Sequence, residues 1–307
     1  MRVARLRLAP ELKLGDESLL PDGLQHPEFQ PRRTGRGYYV VCNKQLSAFD
    51  GKSASPTYSC HSTKLCLSCY KGVLARWGAR KSFPNPRLKE HIGHLLRLRI
   101  LQELEILARR VRPKVKEHHT PIIRRLTRAE WKAFQKSGTI SNPGAIAILV
   151  VPPVKKYLLN GEVPDASPTP TKEIRTSTIS TKPAPPLSVL HPASMQNGFE
   201  MPGLASHRIP LYNSISLFPS PTQRAALHQR LCAVLKEDTV TRWNQTDPPR
   251  PRDKSQPSKD EMKSSHAFLV YSDGSTVKRA DTVPLTIALW RLRMWEMEQP
   301  TTIPTWS

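Results

Sequence analysis

The sequence predicts an α+β chain, with a basic helical hairpin of about three helices in the N-terminal half and a small α/β sandwich in the C-terminal half, joined by disordered Pro-rich linkers. Three observations lead there. Apolar residues at Leu88, Ile92, Leu95, Leu96, Ile100, Leu104 and Leu107 recur mostly in steps of three and four, which places them on one stripe of a helix. The run GAIAILVVPP at 144 to 153 is continuously apolar and stops at Pro152-Pro153, as a short buried strand does. Residues 161 to 207 hold eight prolines, many Ser and Thr and little apolar periodicity, so they lack the means to bury a face.

Composition narrows the function classes. The net charge is +22 with a pI near 10.2, which points to RNA, a ribosome, an anionic membrane or an acidic protein as partner. Thirty prolines and a hydrophobic content of 38% imply less core than 307 residues could build. No stretch approaches the roughly 18 consecutive apolar residues of a transmembrane helix. The chain divides into a basic N-terminal segment (1–33), a Cys/Ser-rich irregular insertion (34–68), a basic helical module (69–137), a strand segment (138–160), a linker (161–207) and an α/β domain (208–307) with a disordered loop at 247–265.

The first ten residues carry Arg2, Arg5 and Arg7 and no acid, with Val3, Leu6 and Leu8 between them. That is the pattern of a mitochondrial presequence, which makes the mitochondrial matrix the expected compartment; a frayed basic N-terminus fits it equally, since Glu11, Asp16 and Glu17 follow. Residues 34 to 69 hold four of the five cysteines, Cys42, Cys60, Cys66 and Cys69, with His61 beside the second. These are enough soft ligands for a tetrahedral zinc site, yet only Cys66 and Cys69 form the close couple that zinc signatures repeat. Disulfides suit a secreted chain, and nothing marks this one as secreted. A third reading is an insertion, intronic in origin, that interrupts a helix leading into Tyr70. The expected metal and cofactor content is therefore none.

The hairpin itself begins at Cys69. Tyr70, Val73, Leu74 and Trp77 form a short apolar stripe, weakened by Gly72 and Gly78. The second helix follows Asn85-Pro86 as a start signal and closes before Pro113. Between Lys71 and Lys114 twelve Lys or Arg face three Glu, a local charge of +9 that would attract an acidic surface. An aromatic and a basic residue (Tyr70, Lys71), then Leu74, a basic cluster (Arg76, Arg80, Lys81), Phe83, a polar loop and a second basic helix resemble the LYR-motif family of small mitochondrial adaptor proteins. The resemblance spans residues 69–113 only, and the family's Leu-Tyr-Arg stands here as Cys69-Tyr70-Lys71. It implies an adaptor or assembly factor of about three helices that binds acidic acyl carrier protein, with the acyl chain between the helices. Tyr70, Lys71, Leu74, Arg76, Arg80, Lys81, Phe83, Arg87 and Lys89 would then make the partner contacts.

Downstream, a polar connection leads to Thr127-Arg128-Ala129-Glu130, a capping box that starts a short helix ending near Lys136, docked by Trp131 and Phe134, which read as core residues rather than a base-stacking platform. His118 and His119 have no third ligand at metal spacing and read as solvated. Order resumes after the linker with a strand at 208 to 218 and a helix set by Ser220-Pro221-Thr222-Gln223, running to about Lys236. Cys232 on that helix reads as a small buried hydrophobe. HAFLVYS at 266 to 272 is a third strand and 283 to 298 a closing helix, so that 144–153, 210–218 and 266–272 should share one sheet.

No GxGxxG, GxxxxGK[ST], GxSxG or HExxH occurs, and no pair of carboxylates sits in an apolar setting. The expectation is thus a non-enzymatic protein. Its alternative to the adaptor is an RNA-binding or mitochondrial ribosome-associated protein, for which the charge and scattered aromatics suffice.

Overall fold

The computed structural model describes residues 5–13, 16–35, 38–42, 83–84, 88–111, 121–140, 144–152, 186–192, 208–243, 264–272 and 282–297. Within these, helices and strands are mixed, as the α+β class requires. The strands form one four-stranded and one five-stranded sheet. The chain separates into two compact units, the first of residues 1–99, 166–172 and 290–307, the second of residues 100–165 and 173–289.

The first unit contains a sheet where the sequence reading placed a basic segment and an irregular insertion. Strands β1 (Arg5–Lys13) and β2 (Asp16–Asp22) form an antiparallel hairpin in which Arg7 lies opposite Asp22. Strand β3 (Tyr38–Val41) pairs with β1, and the short β4 (Phe83–Pro84) runs parallel to β2. The physical reason is alternation: Leu6 and Leu8 are buried while Arg7, on the other face, is ion-paired to Asp22 and donates to the carbonyls of Arg33 and Gly35. Arg-Leu alternation serves a strand as well as it serves a presequence. Phe83, expected between the basic cluster and the polar loop of a helical hairpin, is instead paired to Ser18 in a strand.

Helix α1 (Leu88–Val111) is the second helix of the expected hairpin, but its surroundings differ from the prediction. Besides the predicted stripe, Leu98, Leu101 and Ile106 are buried, and so are His91, Gln102 and Glu103. A helix apolar on most of its circumference is enclosed rather than amphipathic, so the solvated basic face expected here shrinks to Arg109 and Arg110 near its end. In the first unit, Gly93 lets helix α5 (Val283–Glu296) approach closely, since a Cβ there would stand 3.3 Å from the Trp295 indole nitrogen. Arg97 of α1 is paired with Glu296 of α5 beside it.

Cys42 follows β3, buried, its thiol 3.5 Å from the Arg291 carbonyl as donor. Burial, only partly opposed by Arg291, pushes this thiol from an ordinary 9.0 up to about 12. It is a packed, protonated side chain rather than a metal-ready thiolate; Cys60, Cys66 and Cys69 lie outside the described residues. Iodoacetamide at pH 8 should therefore leave Cys42 unmodified in the folded protein and alkylate it after denaturation, as read by peptide mass spectrometry. Because the folded value lies above the unfolded one, the Cys42 contribution to stability is present below about pH 9 and is lost as the pH rises toward 12.

The second unit is built on the five-stranded sheet, in the order β5-β9-β6-β8-β7. The central strand β6 (Ala145–Val150) runs parallel to β8 (Arg208–Asn213) and antiparallel to β9 (Ser264–Tyr271), the three-strand association expected from the sequence. Two members were not expected. Strand β5 (Ile123–Thr127) pairs with β9, so the span 69–137 contributes a sheet strand rather than helices alone. Strand β7 (Ser188–Pro192), within the stretch read as a disordered linker, pairs with β8 along SVLHP. Val189 and Leu190 stay exposed in it, so this edge strand is held by the backbone partners that β8 supplies.

Helix α2 (Arg128–Ser137) lies on one face of this sheet, where Phe134 packs with Leu126, Ile148, Ile209 and Leu269. Helix α4 (Pro221–Trp243) lies on the other, through His228 and Cys232 against Arg125. The two layers follow from the pleat, since Arg124 and Arg125 of β5 point to opposite faces. The strand expected to run on to Phe218 breaks after Asn213, whose side chain accepts from the Ile215 amide and starts the short helix α3 (Ser214–Leu217). Helix α4 begins at Pro221 as expected and continues beyond Lys236 to Trp243.

Candidate nucleic-acid interface

Seven of the partner contacts expected from the hairpin, Tyr70, Lys71, Leu74, Arg76, Arg80, Lys81 and Arg87, lie outside the described residues. Of the other two, Phe83 is in β4 and Lys89 is half-buried in the first turn of α1. Among the described residues the exposed basic row lies elsewhere, on α2.

Helix α2 owes its position to local chemistry that is visible in the sequence. The Thr127 hydroxyl accepts from the Glu130 amide at 3.2 Å, and Glu130 Oε2 accepts from the Thr127 amide at 2.8 Å, completing the capping box. At the other end Gly138, with φ of 66°, adopts the left-handed conformation that glycine tolerates, and its amide donates to the Phe134 carbonyl at 2.7 Å. The inner side is held by Phe134, whose ring meets His191 edge-on at 4.8 Å and Trp131 at 5.4 Å.

With that face fixed, a four-residue repeat turns Arg128, Lys132 and Lys136 outward, and all three are exposed. Ala129, Ala133 and Gln135 share the exposed side, and Glu130 is the helix's sole acid. Glu130 is already engaged: one oxygen accepts from Arg124 Nη2 at 2.7 Å. Burial alone would raise its carboxyl, but the Thr127 amide and Arg124 outweigh burial and hold it below its ordinary value. Arg124 also donates to the Tyr271 hydroxyl at 3.2 Å. Burial works against its charge, and Glu130 and Tyr271 overcome that and raise it.

Other cations of the fold are neutralised. Arg7, Arg97, Arg124 and Arg230 are ion-paired to Asp22, Glu296, Glu130 and Glu105. Among the described residues Arg128, Lys132 and Lys136 carry no ion pair. Three unneutralised cations in a row on a capped helix make a surface for an anion with repeated charge. No family model, curated protein or solved structure matches this chain.

A second cluster, on the opposite face of the sheet, was missed by reading Cys232 as a simple hydrophobe. Its sulfur lies 3.5 Å from Arg125 Nη2 and 3.7 Å from His228 Nε2, and Arg125 sits over the Phe268 ring at 4.8 Å. The i, i+4 spacing of His228 and Cys232 on a helix was the available signal. Its chemistry is structural. Burial raises the Cys232 thiol against the pull of Arg125, and burial, then Arg125 and His266, lowers the His228 imidazolium. A protonated thiol beside a neutral imidazole is not an activated nucleophile.

Proposed function

We propose that this chain is a non-enzymatic RNA-binding protein that holds phosphates along the outer face of α2. The observation that supports the reading is the row Arg128, Lys132 and Lys136, exposed and without carboxylate partners on a helix capped at both ends. A net charge of +22 adds a long-range field that speeds encounter with a polyanion. A rigid helix suits the task because its cations lose little backbone freedom on binding.

An adaptor for acyl carrier protein would need α1 to offer a basic, solvated side and an apolar groove. The burial of Leu98, Leu101, Gln102 and Glu103 speaks for an enclosed helix instead. The test is equilibrium binding of a fluorescent RNA by the full chain, compared with the triple variant Arg128→Ala, Lys132→Ala, Lys136→Ala. The variant should bind about tenfold or more weakly at low salt, where phosphate contacts supply most of the affinity. Its melting temperature should be unchanged, because exposed substitutions stay within about 0.5 kcal/mol. Undiminished RNA binding by the variant would remove α2 from the reading. Binding of acylated carrier protein that Tyr70→Ala abolishes would restore the adaptor.

A further inference from the structure

We infer that the nucleic acid taken by α2 is a single strand, one base of which stacks on Trp131 while its phosphates follow Arg128, Lys132 and Lys136. This rests on the RNA-binding reading and specifies its substrate class. Trp131 lies one turn from Arg128 and directly before Lys132, at the border between the buried and exposed sides of the helix. It is half-buried, packed against the sheet core yet not closed off from solvent, whereas its neighbour Phe134 is buried.

The ring is also held in place. Phe134 supports it at 5.4 Å and is itself backed by His191, while the capping box and the Arg124–Glu130 pair fix the turn from which it projects. A tryptophan so fixed offers a flat, apolar surface whose ordering cost has already been met in folding. The cations are spaced about 6 Å apart along the axis, four residues at 1.5 Å each, and the row is about 12 Å long. That is the scale of a few successive nucleotides of an extended strand. Bases in a duplex are stacked on one another and cannot reach the ring; the bases of a single strand can.

The experiment uses the full chain with a labelled single-stranded oligoribonucleotide, the same sequence as a blunt duplex, and two variants. Trp131→Phe keeps a stacking surface; Trp131→Leu keeps apolar packing and removes it. The single strand should bind more tightly than the duplex. Trp131→Leu should weaken single-strand binding by about 5- to 150-fold, the usual loss for one stacked base, and leave duplex binding unaltered. Trp131→Phe should stay close to the parent, with melting curves showing both variants folded. Equal affinity for the two forms of RNA, or no loss in Trp131→Leu while the triple charge variant is impaired, would overturn the single-strand inference and leave RNA binding standing. Absence of RNA binding altogether would overturn both.

Discussion

Glu296→Ala should destabilise the first unit by about 3–5 kcal/mol, because it leaves the Arg97 guanidinium buried without the carboxylate that balances it. Both side chains are nearly enclosed, with relative exposures of 12% and 11%. Burial already holds the Arg97 guanidinium below its ordinary value, and Glu296 opposes that. Removing the carboxylate removes the compensation and keeps the cost. The double variant Arg97→Met, Glu296→Met should recover most of the loss, since a buried ion pair and an apolar pair of similar volume are often close in stability. Urea unfolding of the three proteins measures both effects. A Glu296→Ala midpoint equal to that of the parent would mean that water reaches the pair.

Phe268→Ala should cost the second unit about 3–5 kcal/mol, the usual range for deleting a buried aromatic ring. Phe268 is 1% exposed in β9, which lies between β5 and β6 in the sheet. Its ring meets His228 edge-on at 6.1 Å and carries Arg125 above it at 4.8 Å. The alanine variant therefore loses packing and also strips a half-buried guanidinium of its aromatic partner. Phe268→Leu fills most of the volume without the ring, and should fall between the parent and alanine. If leucine and alanine were equally damaging, the aromatic character of the site rather than its volume would decide the cost.

The elements readable in the sequence were those specified by short-range chemistry. Thr127 and Glu130 announce the start of α2 because both halves of the capping box lie within one turn. The apolar runs around Ile148 and Phe268 predict strands that associate, because such runs are shielded only by one another. The elements that escaped depend on distant partners. Leu6 and Leu8 alternate with Arg5 and Arg7 over too short a span to distinguish a strand from a targeting segment until Asp22 supplies the far end of an ion pair. Strand β7 lies in Pro-rich sequence and is held by β8. The enclosure of α1 is partly legible, in that Leu98, Leu101 and Ile106, which are buried, lie off the stripe from Leu88 to Leu107.

The candidate site illustrates the same limit. The four-residue spacing of Arg128, Lys132 and Lys136 is plain in the sequence, yet the denser charge between Lys71 and Lys114 draws attention first. Charge density alone cannot say which cations the fold neutralises. Glu296 balances Arg97 and Glu105 balances Arg230 across separations that no local pattern reveals.

The most direct test of the RNA-binding account is the salt dependence of the affinity. For a single strand the slope of log K against log salt is about −0.7 per neutralised phosphate, so the three cations of α2 should contribute about −2. Measured by fluorescence anisotropy between 50 and 300 mM salt, the triple variant Arg128→Ala, Lys132→Ala, Lys136→Ala should show a slope shallower than the parent by that amount. An identical slope in parent and variant would contradict the account, because the phosphates would then be held somewhere other than on α2.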